Sequence, residues 1–202
     1  MAIDASLARL WYNSAMKSLH LSRPHAIMMV GIPGSGKSFF ASQFADTFGT
    51  PYIDFGTIAD ITDDAEKASE ITLICLAEIA KTEQTFIFEG SSASRTYRTE
   101  FAKWARSLGY TPLFIWTQVD QATALKRSSK TNHYTKQEFG EHLKAFSPPH
   151  PDEKPLVISG KHTYASQAKA VLSFLSQDNR PLAQKVTAPA RPVQHGRSIT
   201  VQ

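Results

Sequence analysis

The sequence predicts an α/β fold: a three-layer sandwich with a five-stranded parallel sheet between two layers of helices and a small lid. Three observations carry that expectation. Short apolar runs alternate with stretches of helical period throughout residues 26–176. The first of these runs, "HAIMMVG", is apolar without alternation, the pattern of a strand buried on both faces. It ends in a glycine-rich loop that opens into a helix.

Taken in order, residues from about 4 to 20 put Leu7, Leu10, Trp11, Ala15 and Leu19 on one face, so residues 1–25 are expected to pack a helix on the domain. After the first strand and its loop, "SFFASQFADTFG" reads as a helix stopped by Gly49. "PYIDF" is the second strand. Asp63 and Glu66 form a capping box for a long helix to about Lys81, with Ile71, Ile74, Cys75, Glu78 and Ile79 on its mostly apolar face. "TFIFEG" is the third strand, 95–108 a helix, and "TPLFIWT" the fourth strand. A helix, a polar interruption near 128–134 and a second helix capped by Thr135 and Glu138 follow. "PLVIS" is the fifth strand and "TYASQAKAVLSFL" the last helix. Residues 177–202 turn to Pro, Ala, Gln, Arg and Ser and read as a disordered basic tail.

Composition narrows the function classes. A chain of 202 residues with 42% hydrophobic residues is material for one domain with short extensions, expected as a monomer. The early Asp4 and the lack of a continuous apolar N-terminal stretch argue against a secretory signal, and no run is long enough for a membrane span. Cys75 is the only cysteine, which excludes an intrachain disulfide or a thiolate metal site and makes a reducing cytoplasm the default compartment. The seven histidines show no His-x3-His spacing. The formal charge of +4 resides mainly in the tail, so the body carries little basic surface for nucleic acid.

The chemistry begins at Gly31-Ile32-Pro33-Gly34-Ser35-Gly36-Lys37-Ser38, followed by Phe39, which fits Gly-x4-Gly-Lys-Ser/Thr. At ordinary residue frequencies the bare pattern arises by chance in about 1% of chains this long, and the flanking strand and helix lower that further. Its glycines let backbone N–H groups converge on phosphate oxygens, and the helix adds its positive N-terminal dipole. Lys37 reaches the β- and γ-phosphates, and the Ser38 hydroxyl is a Mg2+ ligand. The expected ligand is therefore ATP with Mg2+.

Phosphoryl transfer also needs a carboxylate and further cations at the C-terminal edge of the sheet. Asp54 ends the second strand and is either a turn or cap residue or the catalytic acid. Glu89 ends the third strand, where an acid resembles the position that holds water or Mg2+ in P-loop enzymes and is otherwise a surface carboxylate. Lys126, Arg127 and Lys130 precede the polar interruption and suit a lid over the nucleotide; Arg95 and Arg98 suit an acidic substrate, and each of the five is otherwise a solvated surface charge.

With these residues in view, the chain resembles the small P-loop kinases of the polynucleotide kinase group, also described as AAA-type ATP-binding domains, and more distantly the zeta-toxin kinases. The resemblance spans residues 26–160 and rests on "VGIPGSGKS", "FIFEGSSASRTYRTEFAKWARSLGY" and "FGEHLKAFSPPHPDE". It implies a P-loop NTPase sandwich of kinase-like strand order and transfer of the γ-phosphate of ATP to a hydroxyl of a nucleic acid 5′ end or a small molecule. By that resemblance Lys37 and Ser38 take the phosphate and Mg2+ roles, Glu89 the acidic position, and Arg127 or Lys130 the lid role. One departure accompanies it. Matching Thr57-Ile58 to the family pattern puts Gly56 where the general-base Asp belongs, leaving Asp54, Asp60 or no base. A nucleotide-binding module without transferase activity is therefore the alternative. A mechanical AAA-type ATPase is disfavoured, because the chain has little room for a helical lid domain and "TFIFEG" does not end in an Asp-Glu pair.

Overall fold

The structure is a computed structural model and describes residue 19, residues 21–130 and residues 134–178. Residues 1–18 and 20 of the expected N-terminal segment and residues 179–202 of the expected tail lie outside these, whereas Gln177 and Asp178, expected in the tail, end the last helix. The described chain folds around a five-stranded, wholly parallel sheet of order β2-β3-β1-β4-β5. Its strands are β1 (His25–Val30), β2 (Tyr52–Asp54), β3 (Phe86–Glu89), β4 (Thr111–Gln118) and β5 (Leu156–Ser159). β1 is wholly buried at the sheet centre, as its unalternating apolar sequence requires.

The two faces of β1 separate two cores. Ile27 and Met29 meet Phe40 and Phe44 of α1 (Lys37–Phe48), together with Val171 and Leu175 of the last helix. Ala26, Met28 and Val30 face the other way, toward Leu76 and Phe101 from two helices described below. Leu19 and Leu21 pack against the first of these cores. Because the chain passes from β1 to the edge strand β2 and returns through β3, the strand order reverses beside β1, and a crevice opens at the carboxyl ends of β1, β3 and β4.

Several elements depart from expectation. Asp54 caps a short helix, α2 (Phe55–Thr62), that the sequence pattern did not announce. The long helix α3 (Ala65–Ala80) is capped by Asp64, which accepts from the N–H groups of Glu66 and Lys67. Asp63 is instead the left-handed residue that ends α2, so the Asp63–Glu66 capping box does not form. The buried stripe of α3 is Ala68, Thr72 and Leu76 rather than one centred on Ile71 and Ile74, which are 40% and 57% exposed. The small Ala68 and Thr72 stand at i and i+4 on that stripe, and Cys75 is left half-buried.

α4 (Arg95–Ser107) covers β3 and β4 through Phe101, Ala102 and Ala105. α5 (Gln121–Lys130) continues through Ser128 and Ser129, so the polar interruption is shorter than expected and Thr131–His133 lie outside the described residues. α6 (Lys136–Ala145) carries the anticipated capping box: Thr135 accepts from the Glu138 N–H, and Glu138 accepts from the Thr135 N–H. α7 (Tyr164–Asp178) closes the first core. No helix of the described residues is long and apolar enough to cross a membrane.

Candidate functional site

The loop after β1 is shaped by contacts on its underside. Gly34 (φ 74°) presses against the carbonyl oxygen of Ala124, so a side chain there would overlap α5 backbone. Gly36 (φ 101°) is the left-handed N-cap of α1 and aims the first turn of that helix at the loop interior. The Ser35 side chain is fully buried and its N–H closes a turn onto the Ile32 carbonyl at 3.1 Å. Ile32 anchors the other side, in a small core with Ala124 and Phe139.

Within this frame Lys37, Ser38 and Glu89 converge. The Lys37 ammonium donates to the Ile32 carbonyl at 3.2 Å and lies 3.8 Å from Glu89 Oε1. Ser38 donates to the same Glu89 oxygen at 3.0 Å. The second carboxylate oxygen, Oε2, accepts from the Tyr52 hydroxyl at 3.0 Å. Asp54 is aligned with Glu89 across β2 and β3, which brings both strand-terminal carboxylates to the same crevice. Asp54 also caps α2, accepting from the Gly56 N–H at 3.0 Å and the Thr57 hydroxyl at 2.8 Å. The position that the resemblance equated with the general base is thus occupied by a glycine whose amide holds Asp54.

Burial dominates the electrostatics. It pushes the Lys37 ammonium below its ordinary pKa, with Glu89 and Asp54 opposing the shift. Burial likewise raises Glu89, against the pull of Lys37 and the Ser38 and Tyr52 hydrogen bonds and with the Asp54 charge adding to the rise. Tyr52 is raised by burial and by both carboxylates, so it stays a donor. Because Glu89 holds its proton more tightly folded than unfolded, its contribution to stability is full below the unfolded carboxylate pKa and is lost as pH rises through the folded value. The melting temperature of Glu89→Gln relative to wild type is therefore expected to increase between pH 4 and pH 8, measured by thermal melts of the ligand-free protein.

Three cavities border the loop: one of about 700 Å³ runs from Ile32 along Trp116, Gln118, Asp120 and Lys161, and two others adjoin Lys37 or Gly36. Of these two, one, of about 510 Å³, is lined by Lys37, Asp54, Asp60, Glu89, Tyr134 and Phe146, among others. The other, of about 320 Å³, lies on the far side of Gly36 and contains Phe39, Arg127, Gly160 and His162. Arg127 donates to the Gly160 carbonyl at 2.9 Å and so borders the second cavity rather than the carboxylate cleft. Phe39 is 62% exposed at its rim. Lys126 and Lys130 are exposed on α5 and line neither cavity.

The arginines expected to receive an acidic substrate do not face the cleft. Arg98 is fully buried and forms a two-pronged ion pair with Glu153, at 2.7 and 3.1 Å, while its remaining nitrogen donates to the Ser92, Ala93 and Ser147 carbonyls. Arg95 is half-exposed with Asp152 at 3.9 Å. The sequence reading also missed Tyr52. Its signal was available: Tyr52 and Asp54 are two apart on a strand and share one face.

Ser38 and Glu89 suit Mg2+, because a hydroxyl and a carboxylate are hard oxygen donors and this ion takes few protein ligands beside phosphates. Among the described residues no group of three or more His, Cys, Asp or Glu side chains makes a denser metal site.

No protein-family model and no curated protein matches the sequence. Solved structures do match. A gluconokinase from Sinorhizobium meliloti 1021 aligns with TM-score 0.58 and 18% identity over 77% of this chain and 94% of its own. A sugar kinase from Janibacter sp. HTCC2649 gives 0.58 and 20% over 76% and 95%. A putative kinase from Chloroflexus aurantiacus J-10-fl gives 0.62 and 15% over 78% and 98%. At such identities the likeness is one of fold: the chain has the five-stranded parallel α/β fold found in these solved kinase structures.

Proposed function

We propose that the protein is an ATP-dependent kinase that transfers the γ-phosphate to a hydroxyl of a small molecule. The observation that carries this reading is the convergence of Lys37, Ser38 and Glu89 at the phosphate loop, with Asp54 aligned beside Glu89. A nucleotide alone would need the loop; a second cavity lined by carboxylates is what a reacting hydroxyl needs.

In this reading Gly31 to Ser38 cradle the phosphates, and the nucleoside lies in the cavity of Phe39, Arg127 and His162. Ser38 and Glu89 would hold Mg2+, which would supply positive charge to the bound phosphates. Lys37 exchanges its contacts with Ile32 and Glu89 for phosphate oxygens and stabilises charge on the transferring group. Asp54 accepts the proton of the attacking hydroxyl. Its hydrogen bonds from Gly56 and Thr57 orient it, and a carboxylate has lone pairs left for a further partner. Tyr52 fixes the rotamer of Glu89. The solved neighbours include a gluconokinase and a sugar kinase, which supports a small-molecule acceptor over a polynucleotide.

The second reading, a nucleotide-binding module without transfer, draws on the same hydrogen bonds, since both Asp54 oxygens already cap α2. Asp54→Asn separates the two, because asparagine keeps an oxygen for the cap but cannot take a proton. A kinase is expected to lose about 10²- to 10⁴-fold in kcat with nucleotide affinity retained. Unchanged turnover in a steady-state ADP-release assay would favour the module.

A further inference from the structure

We infer that the acceptor is a small hydroxyl compound bearing a protonated amine, an amino alcohol or amino sugar, bound between Asp60 and the aromatic wall of the carboxylate cleft. The inference rests on the kinase reading above and names the substrate class of the same site.

The lining of that cleft decides its charge preference. Asp54, Asp60 and Glu89 contribute three carboxylates, and among the described lining residues Lys37 is the only Lys or Arg. That lysine is already engaged by Ile32 and Glu89 and is the phosphate ligand. The other nearby cations are elsewhere: Arg98 is buried against Glu153, Arg95 lies by Asp152, and Arg127 borders the opposite cavity. A sugar acid or a nucleic acid strand would therefore enter against like charge, with no Lys or Arg besides Lys37 among the described lining residues to receive it.

Positive recognition is also built in. The side chain of Asp60, exposed on α2, has no hydrogen bond or ion pair among the described residues. Phe55, Tyr134 and Phe146 supply aromatic surface in the same cavity, and such faces attract ammonium groups. His142 meets the Tyr134 ring edge-on at 4.8 Å and helps to hold it there. After burial, the charges of Glu89, Asp60, Asp54 and Glu138 raise the Tyr134 hydroxyl. A volume of about 510 Å³ matches a metabolite-sized acceptor.

The chemistry balances simply. The acceptor oxygen forms a bond to the γ-phosphorus, its proton passes to Asp54, and the bond from that phosphorus to the β,γ-bridging oxygen breaks. Products are ADP, a phosphomonoester and one proton released to solvent from Asp54. The ammonium group takes no part in bond making; it fixes which hydroxyl reaches the phosphate.

The test uses the full chain with ATP and Mg2+ and a panel of amino alcohols and amino sugars. Each is paired with a neutral and a carboxylate counterpart of the same skeleton, as in glucosamine, glucose and gluconate, and a 5′-hydroxyl oligonucleotide is included. At least one amine is expected to show kcat/KM about tenfold above its counterparts. Asp60→Asn should reduce that advantage about fivefold through the KM of the amine, the size of one exposed ion pair. Asp60→Lys should invert the preference, and thermal melts verify that both variants fold. A preferred neutral, carboxylate or oligonucleotide acceptor overturns the inference and leaves the kinase reading standing. Transfer to no panel member, by a protein that binds ATP, overturns both.

Discussion

Lys37→Ala is expected to lower phosphoryl transfer by about 10³-fold, because it removes the one lysine held at the phosphate loop. The loss should not come from unfolding. Lys37 is a desolvated ammonium whose burial already disfavours its charge, and Glu89 keeps hydrogen bonds from Ser38 and Tyr52 when the ammonium is gone. Melting temperatures within a few degrees of wild type, beside the kinetic loss, would locate the effect in catalysis. A comparable loss of stability would instead make Lys37 a structural residue.

Arg98→Ala should produce the largest stability change, a loss of about 3–5 kcal/mol in urea unfolding at pH 7, because truncation leaves the Glu153 carboxylate buried without its partner. Three carbonyls lose a donor in the same substitution, from segments 92–93 and 147 that a backbone bond from the Ser147 N–H to the Ala93 carbonyl also joins. Burial alone would raise Glu153, but hydrogen bonds from Arg98 and the His150 N–H outweigh it and hold the carboxyl below its usual range. A depressed carboxylate stabilises above its unfolded pKa and loses that contribution as pH falls through the folded value. The acid side of the wild-type stability profile should therefore be steeper than that of the variant. Arg95→Ala, whose half-exposed side chain stands 3.9 Å from Asp152, should change stability by less than about 0.5 kcal/mol.

These two arginines show where sequence stops being informative. The pattern of an Arg-containing helix after "FIFEG" and of the "FSPPHPDE" segment was legible, yet its meaning was not. A sequence displays charge but not burial, and Arg98 and Glu153 are 55 positions apart. They fasten the wall of the cleft instead of receiving substrate. Features determined locally were read correctly: the buried β1, the Gly49 stop and the Thr135–Glu138 box follow from spacing within or at the ends of single elements. α2 escaped notice because Gly56 and the β-branched Thr57 and Ile58 lower helix propensity, while the cap from Asp54 and tertiary packing override it. The face of α3 was misjudged because isoleucines draw the eye, whereas the positions that are buried are Ala68, Thr72 and Leu76. Tyr52 needed the pairing of β2 with β3 before its hydroxyl could be connected to Glu89.

The central claim is that the two cavities adjoining Gly36 and Lys37 hold a nucleotide and a hydroxyl acceptor. It is tested most directly by incubating the protein with ATP carrying an 18O-labelled γ-phosphate, Mg2+ and the acceptor panel, and reading the products by mass spectrometry. The account predicts a phosphomonoester containing the labelled phosphoryl group joined to the acceptor's own oxygen, formed by wild type and absent with Lys37→Ala. Label found only in inorganic phosphate, at the same rate with and without acceptors, would contradict it.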